Sequence, residues 1–64
     1  MEIYLIYKGI GLLLDPYIGE SFSLQEALYK TKEIDSSCAI YKGKNVGGIY
    51  GRVIIDKTFI CIVS

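Results

Sequence analysis

The chain has 64 residues, with seven basic and seven acidic side chains, two cysteines and no histidine. This length predicts a single domain over residues 1–64, in which only about 60% of the surface of the unfolded chain becomes buried. The absence of histidine excludes Ser-His-Asp and Cys-His catalytic sites, and with only two cysteines it also excludes the usual four-ligand zinc site within one chain. Zero net charge disfavours a surface that binds phosphates. We therefore expect a non-enzymatic protein without a metal or cofactor.

The first predicted element is a β-strand over residues 2–8, a segment rich in β-branched and aromatic side chains that ends at a Gly-Ile-Gly turn. Residues 12–14, all leucine, are expected to form a short returning strand. Pro16 has no amide hydrogen to donate and restricts Asp15 to extended geometry. Regular strand pairing is therefore expected to end at these two residues.

One α-helix is predicted over about residues 24–34. Ser23 and Glu26 match the spacing at which a serine caps the helix amino terminus and a glutamate returns to the serine amide. Three apolar positions share one face of this helix: Leu24, Ala27 and Leu28. A helix of this length is unstable alone, so it is expected to pack against a sheet.

Three further runs favour β-structure, at residues 38–42, 49–55 and 58–63. Residues 43–45 and Asp56-Lys57 separate these runs and are interpreted as turns. The predicted fold is a small α+β domain in which a mostly antiparallel sheet of four or five strands, in the order ββαββ(β), is covered on one face by the helix.

If Lys44-Asn45 and Asp56-Lys57 are each two-residue turns, the register places a largely apolar set on the sheet face opposite the helix. That set is Ala39, Tyr41, Tyr50, Arg52, Ile54, Phe59, Cys61 and Val63. An outer face normally carries polar side chains, so we expect the amino-terminal hairpin, a second copy or another macromolecule to cover this one. The candidate partner-binding residues are Tyr41, Tyr50, Arg52, Ile54 and Phe59.

The same register places Cys38 and Cys61 on opposite faces of the sheet, which argues against a disulfide between them. Both residues are therefore expected to be reduced thiols.

The basic, glycine-rich part of this region supports an alternative function. Lys42, Lys44, Asn45 and Arg52 are candidate contacts for an anion or a small ligand such as a nucleotide, bound in a pocket between subunits. The segment is not a phosphate-binding P-loop, because Ile49 stands where that motif requires lysine. Binding of single-stranded nucleic acid is a third alternative, which the zero net charge disfavours.

The function expected from these features is that of a small homodimeric module that binds another protein and occludes part of its surface. The chain lacks the basic segment that opens a signal peptide and any uncharged run long enough to span a membrane, so a cytoplasmic protein is expected. Its excess of isoleucine, lysine and tyrosine over alanine and arginine favours A+T-rich codons. That usage suggests a bacterial or phage protein, such as an inhibitor or accessory protein directed at a host or defence enzyme.

Overall fold

Four antiparallel strands and one helix make up the part of the chain that the structure describes. The computed structural model describes residues 2–9, 16–47, 51 and 53–64. In chain order the elements are β1 (Glu2–Lys8), β2 (Tyr17–Ser21), α1 (Leu24–Thr31), β3 (Cys38–Asn45) and β4 (Ile54–Val63). The strands form one sheet in the order β2-β1-β3-β4, with every neighbouring pair antiparallel. The predicted α+β fold is confirmed.

Strand β1 occupies the interior of the sheet, where it pairs with β2 on one side and β3 on the other. Ile3, Leu5 and Ile6 are all buried, and they include residues of both strand faces. A strand buried on both faces needs a nearly continuous apolar run, which the sequence Ile-Tyr-Leu-Ile-Tyr supplies. The described strands of the amino-terminal region, β1 and β2, therefore extend the sheet.

The strand that returns beside β1 is Tyr17–Ser21, which was not predicted. Regular pairing was expected to end at residues 15 and 16, but the carbonyl oxygen of Pro16 accepts a hydrogen bond from the Lys8 amide at 2.9 Å, and β2 begins at the next residue. The leucine strand predicted at residues 12–14 lies outside the described residues.

Helix α1 begins where predicted. The Ser23 hydroxyl accepts a hydrogen bond from the Glu26 amide at 3.1 Å, which satisfies one donor that the helix start leaves unpaired. The helix ends at Thr31, earlier than the predicted residue 34. The amides of residues 32–34 each bond to a carbonyl three residues earlier, so the chain tightens into a narrower turn before it leaves the helix.

Strand β4 runs through Asp56 and Lys57, the two residues at which a turn was expected. Its pairing with β3 extends from Val63 opposite Cys38 to Ile54 opposite Asn45. Two irregularities accommodate extra residues of β4, and Asp56 has a left-handed backbone with a φ of 54°. Because residues 54–63 form one continuous strand, the chain does not turn back at residues 56 and 57, and the predicted register was wrong. Residues 49, 50 and 52 of the predicted strand 49–55 lie outside the described residues.

Gly43 marks a close approach between β3 and β4. A Cβ atom at this position would lie 2.6 Å from Cγ2 of Ile54 and 3.3 Å from the carbonyl oxygen of Ile55. Only glycine leaves room for this contact, which lies at one of the two irregularities. Glycine at position 43 thus allows β4 to bend against its neighbour.

The main core lies between the helix and one face of the sheet. Ile6, Ala27, Cys38 and Ile40 form its buried cluster, and Cys61 packs against them. Cys38 and Cys61 therefore lie on the same face, contrary to the predicted register, because the extra residue Ile60 shifts the alternation of side chains along β4. Both cysteines are free thiols.

Candidate functional site: an aromatic row across the sheet

Four aromatic rings cross the sheet face opposite the helix, one from each strand. In spatial order they are Tyr17 on β2, Tyr7 on β1, Tyr41 on β3 and Phe59 on β4, and we call them the aromatic row. Successive ring centroids are 5.6, 5.5 and 5.5 Å apart, with interplanar angles of 65°, 82° and 74°. These are edge-to-face contacts, the arrangement that brings the positive edge of one ring to the negative face of the next.

The strand pairing explains why the rings meet. Tyr7 lies directly opposite Tyr17, and Tyr41 lies directly opposite Phe59. Tyr7 and Tyr41 are diagonal neighbours, because the residue opposite Tyr7 on β3 is Ala39. Diagonal positions are within reach of aromatic side chains, so the row continues without a gap from one edge strand to the other.

Small and aliphatic residues on the same face are buried beside the row. Leu5 lies opposite Tyr41 and is 3% exposed, while Ala39 lies opposite Tyr7 and is fully buried. The two ends of the row remain open to solvent, since Tyr17 is 46% exposed and Phe59 is 48% exposed. The site is therefore a buried apolar floor beside which the two end rings of the row remain accessible.

A carboxylate borders one end of this surface. The Tyr17 hydroxyl donates a hydrogen bond to Glu20 Oε2 at 2.7 Å. Glu20 lies opposite Leu5, a residue of the same sheet face. The hydrogen bond orients the Tyr17 ring and holds the Glu20 carboxylate at the β2 end of the row.

Two of the five residues predicted to bind a partner are in this row. Tyr41 and Phe59 share the face opposite the helix, as predicted, and a third residue, Ile54, packs over Gly43. Tyr50 and Arg52 lie outside the described residues. The expected face also included Cys61 and Val63, but both pack against the core on the helix side, and Ile62 faces outward instead.

Sequence reasoning missed Tyr7 and Tyr17 as members of the site. The alternation of β1 was a usable signal for Tyr7, because it places that residue on one face with Ile3 and Leu5. No comparable signal existed for Tyr17, since its contact with Tyr7 depends on an irregularity in the pairing of β1 with β2.

The residues predicted to bind an anion do not form a purely cationic site. Lys42 Nζ lies 2.9 Å from Glu2 Oε2, and this hydrogen-bonded ion pair raises the pKa of the lysine. Lys42 and Lys44 line a depression of about 410 Å³, where Glu2 and Asp56 offset their charges.

The other two candidate anion contacts are Asn45 and Arg52. Asn45 Oδ1 accepts a hydrogen bond from the Gly47 amide at 3.3 Å. The fourth candidate, Arg52, lies outside the described residues.

Among the described residues, no group of three or more Cys, Asp or Glu side chains is placed to hold a metal ion. The single helix of this part of the chain is too short and too polar to cross a membrane. Comparison of the chain with protein-family models, curated proteins and solved structures finds no match.

Proposed function

We propose that the protein is a non-enzymatic binding module whose aromatic row contacts the surface of another protein. The observation that carries this proposal is the exposure of Tyr17 and Phe59 at the ends of a row whose floor is buried. Centres of protein interfaces are enriched in aromatic side chains and depleted of charge, and rigid rings lose little conformational freedom on binding. The lack of histidine supports a function without catalysis.

The distribution of charge favours a protein partner over a nucleic acid. Proteins that bind single strands combine stacking rings with basic side chains on one surface. Here Lys42 lies opposite Tyr4 and Thr58, next to Tyr41 in β3, and neighbouring residues of a strand point to opposite faces. Among the described residues, the carboxylate of Glu20 is hydrogen-bonded to a ring of the aromatic row, and a carboxylate in this position disfavours a phosphate backbone.

We further propose that the module acts as a homodimer and that it inhibits its target by occlusion. A small neutral domain lacks the charge repulsion that keeps copies of a protein apart, which supports self-association. The excess of isoleucine, lysine and tyrosine supports a bacterial or phage origin. The target in that setting is a host or defence enzyme in the bacterial cytoplasm.

The test compares two tyrosine-to-alanine variants. Tyr17→Ala removes one exposed end of the aromatic row, and Tyr29→Ala removes an even more exposed tyrosine (65%) from the helix. Tagged wild-type protein is used to capture a partner from a bacterial lysate, and the affinity of each purified variant for that partner is then measured by calorimetry. We expect Tyr17→Ala to weaken binding about tenfold or more, as for an interface hot spot, and Tyr29→Ala to leave it unchanged. Equal effects of the two substitutions would contradict the proposal.

A further inference from the structure

The two edges of the sheet differ in how well they are protected against pairing with another strand. Strand β2 has five residues, follows Pro16 and contains Gly19 and Glu20, all of which discourage further pairing. Strand β4 has ten residues, and its outer side is unpaired by any strand of the described residues. Its charges, Asp56 and Lys57, lie in its first half, so residues 58–63 carry neither a charge nor a proline.

The second half of β4 also exposes two large apolar side chains on one face. Phe59 and Ile62 are 48% and 44% exposed, respectively. Residues three apart in a regular strand point to opposite faces, but the extra residue Ile60 brings both side chains to the face of the aromatic row. This bulge interrupts the edge without adding a charge to it.

We propose that residues 58–63 of β4 pair antiparallel with the same residues of a second copy, about a two-fold axis between Ile60 and Cys61. In this register Phe59 of each copy lies opposite Ile62 of the other, and Thr58 lies opposite Val63. Each pair shares a sheet face because both copies contain the same bulge. The segment is therefore complementary to itself, as a two-fold interface requires.

The pairing has two consequences for the surface. It gives hydrogen-bond partners to the outer side of β4, which no strand of the described residues pairs, and it places Phe59 of each copy beside Ile62 of the other as an aromatic and β-branched cross-strand pair. Because the axis is perpendicular to the sheet, two four-stranded sheets become one of eight strands whose aromatic rows face the same side. The dimer thus presents two copies of the proposed partner-binding surface.

The first experiment compares charge insertions at the two sheet edges. Ile62→Lys places a lysine opposite Phe59 of the second copy, and Ile18→Lys makes the same change on β2 at a residue of similar exposure, 40% against 44%. Sedimentation velocity over a range of concentrations should give a dimer for the wild type and for Ile18→Lys, and a monomer for Ile62→Lys. Circular dichroism checks that each variant is folded. A monomeric wild type, or the same oligomeric state for both variants, would overturn the proposal.

The second experiment tests the register by mixing two variants. Phe59→Glu and Ile62→Lys should each be monomeric, but an equimolar mixture should form a heterodimer, because the glutamate of one chain then lies opposite the lysine of the other. Each heterodimer also keeps one native pair of Phe59 and Ile62. A mixture that stays monomeric would overturn this register.

This inference rests on the homodimer in the proposed function, but not on the binding of another protein. Tyr17→Ala should reduce partner binding without changing the sedimentation coefficient, because Tyr17 lies at the β2 end of the sheet. The proposed partner-binding function and the proposed pairing at the β4 edge can therefore be contradicted independently. A variant Tyr17→Ala with normal partner binding overturns the proposed function, and a dimer that survives Ile62→Lys overturns pairing at the β4 edge.

Discussion

Tyr41 and Phe59 lie directly opposite each other on β3 and β4, with ring centroids 5.5 Å apart and ring planes inclined at 74°. This contact comes immediately after the bulge at Ile60, where the pairing of the two strands shifts by one residue. The ring contact therefore stabilises the shifted register as well as the exposed surface. Because Phe59 lies on the edge strand β4, the contact also extends the aromatic row to that edge of the sheet.

Phe59→Ala should reduce the free energy of unfolding by about 1–2 kcal/mol, because it removes the edge-to-face contact and half of the burial of a phenylalanine ring. The matched control is Phe22→Ala, which removes a ring that is 66% exposed and lies outside the sheet. We expect about 0.5 kcal/mol or less for the control. Urea unfolding of both variants measures the difference, and an equal loss would mean that the contact with Tyr41 adds no stability. Measurement at several protein concentrations separates this loss from any change in dimerisation.

Gly43→Ala should destabilise the protein by about 1–3 kcal/mol, since the added methyl group would lie 2.6 Å from Cγ2 of Ile54. Gly19→Ala is the matched control in a neighbouring part of the sheet, because the closest atom to a Cβ at that position is 4.0 Å away, at the end of Ile6. The control should be neutral or slightly stabilising. Thermal unfolding of both variants measures the two effects. A Gly43→Ala variant as stable as the wild type would show that β4 does not approach β3 this closely.

Two serines near the start of the helix should respond to alanine with opposite signs. Ser21 is 3% exposed, and its hydroxyl has no hydrogen-bond partner among the described residues. Ser21→Ala should therefore raise the free energy of unfolding by about 1 kcal/mol. The Ser23 hydroxyl caps the helix, so Ser23→Ala should lower stability by about 1 kcal/mol. Chemical denaturation of both variants provides the measurement. A loss of stability in Ser21→Ala would indicate that the buried hydroxyl does have a partner.

The two cysteines should differ in their reactivity toward thiol reagents. Burial raises the pKa of the Cys38 thiol above its ordinary value of 9.0, and the charge of Lys8 opposes part of this effect. A raised pKa leaves less of the reactive thiolate at any pH below that value, and the buried sulfur is also shielded, whereas Cys61 is partly exposed. An aromatic disulfide reagent at about pH 8 should therefore modify one thiol rapidly and the second only after unfolding. Rapid modification of both thiols in the folded protein would contradict the burial of Cys38.

The elements that sequence reasoning located correctly depend on local interactions. The strand at residues 2–8 follows from its run of β-branched and aromatic side chains, and the helix start follows from Ser23 and Glu26, whose bond spans three residues. The fold class follows from the number and type of such segments. In each case the residues that determine the structure are close together in the chain.

Tertiary structure decided whether Asp56 and Lys57 reverse the chain or continue it. Their polarity suits a hairpin turn, but the same polarity suits an exposed bulge, and the choice depends on how residues 54–63 pair with a strand that lies earlier in the chain. One extra residue in such a pairing moves every later side chain to the other face, which explains the exchange of Cys61 with Ile62. The amino acids of this chain thus determine that it has an apolar second sheet face. Long-range strand pairing determines that the face is a row of four rings from Tyr17 to Phe59, because each ring comes from a different strand.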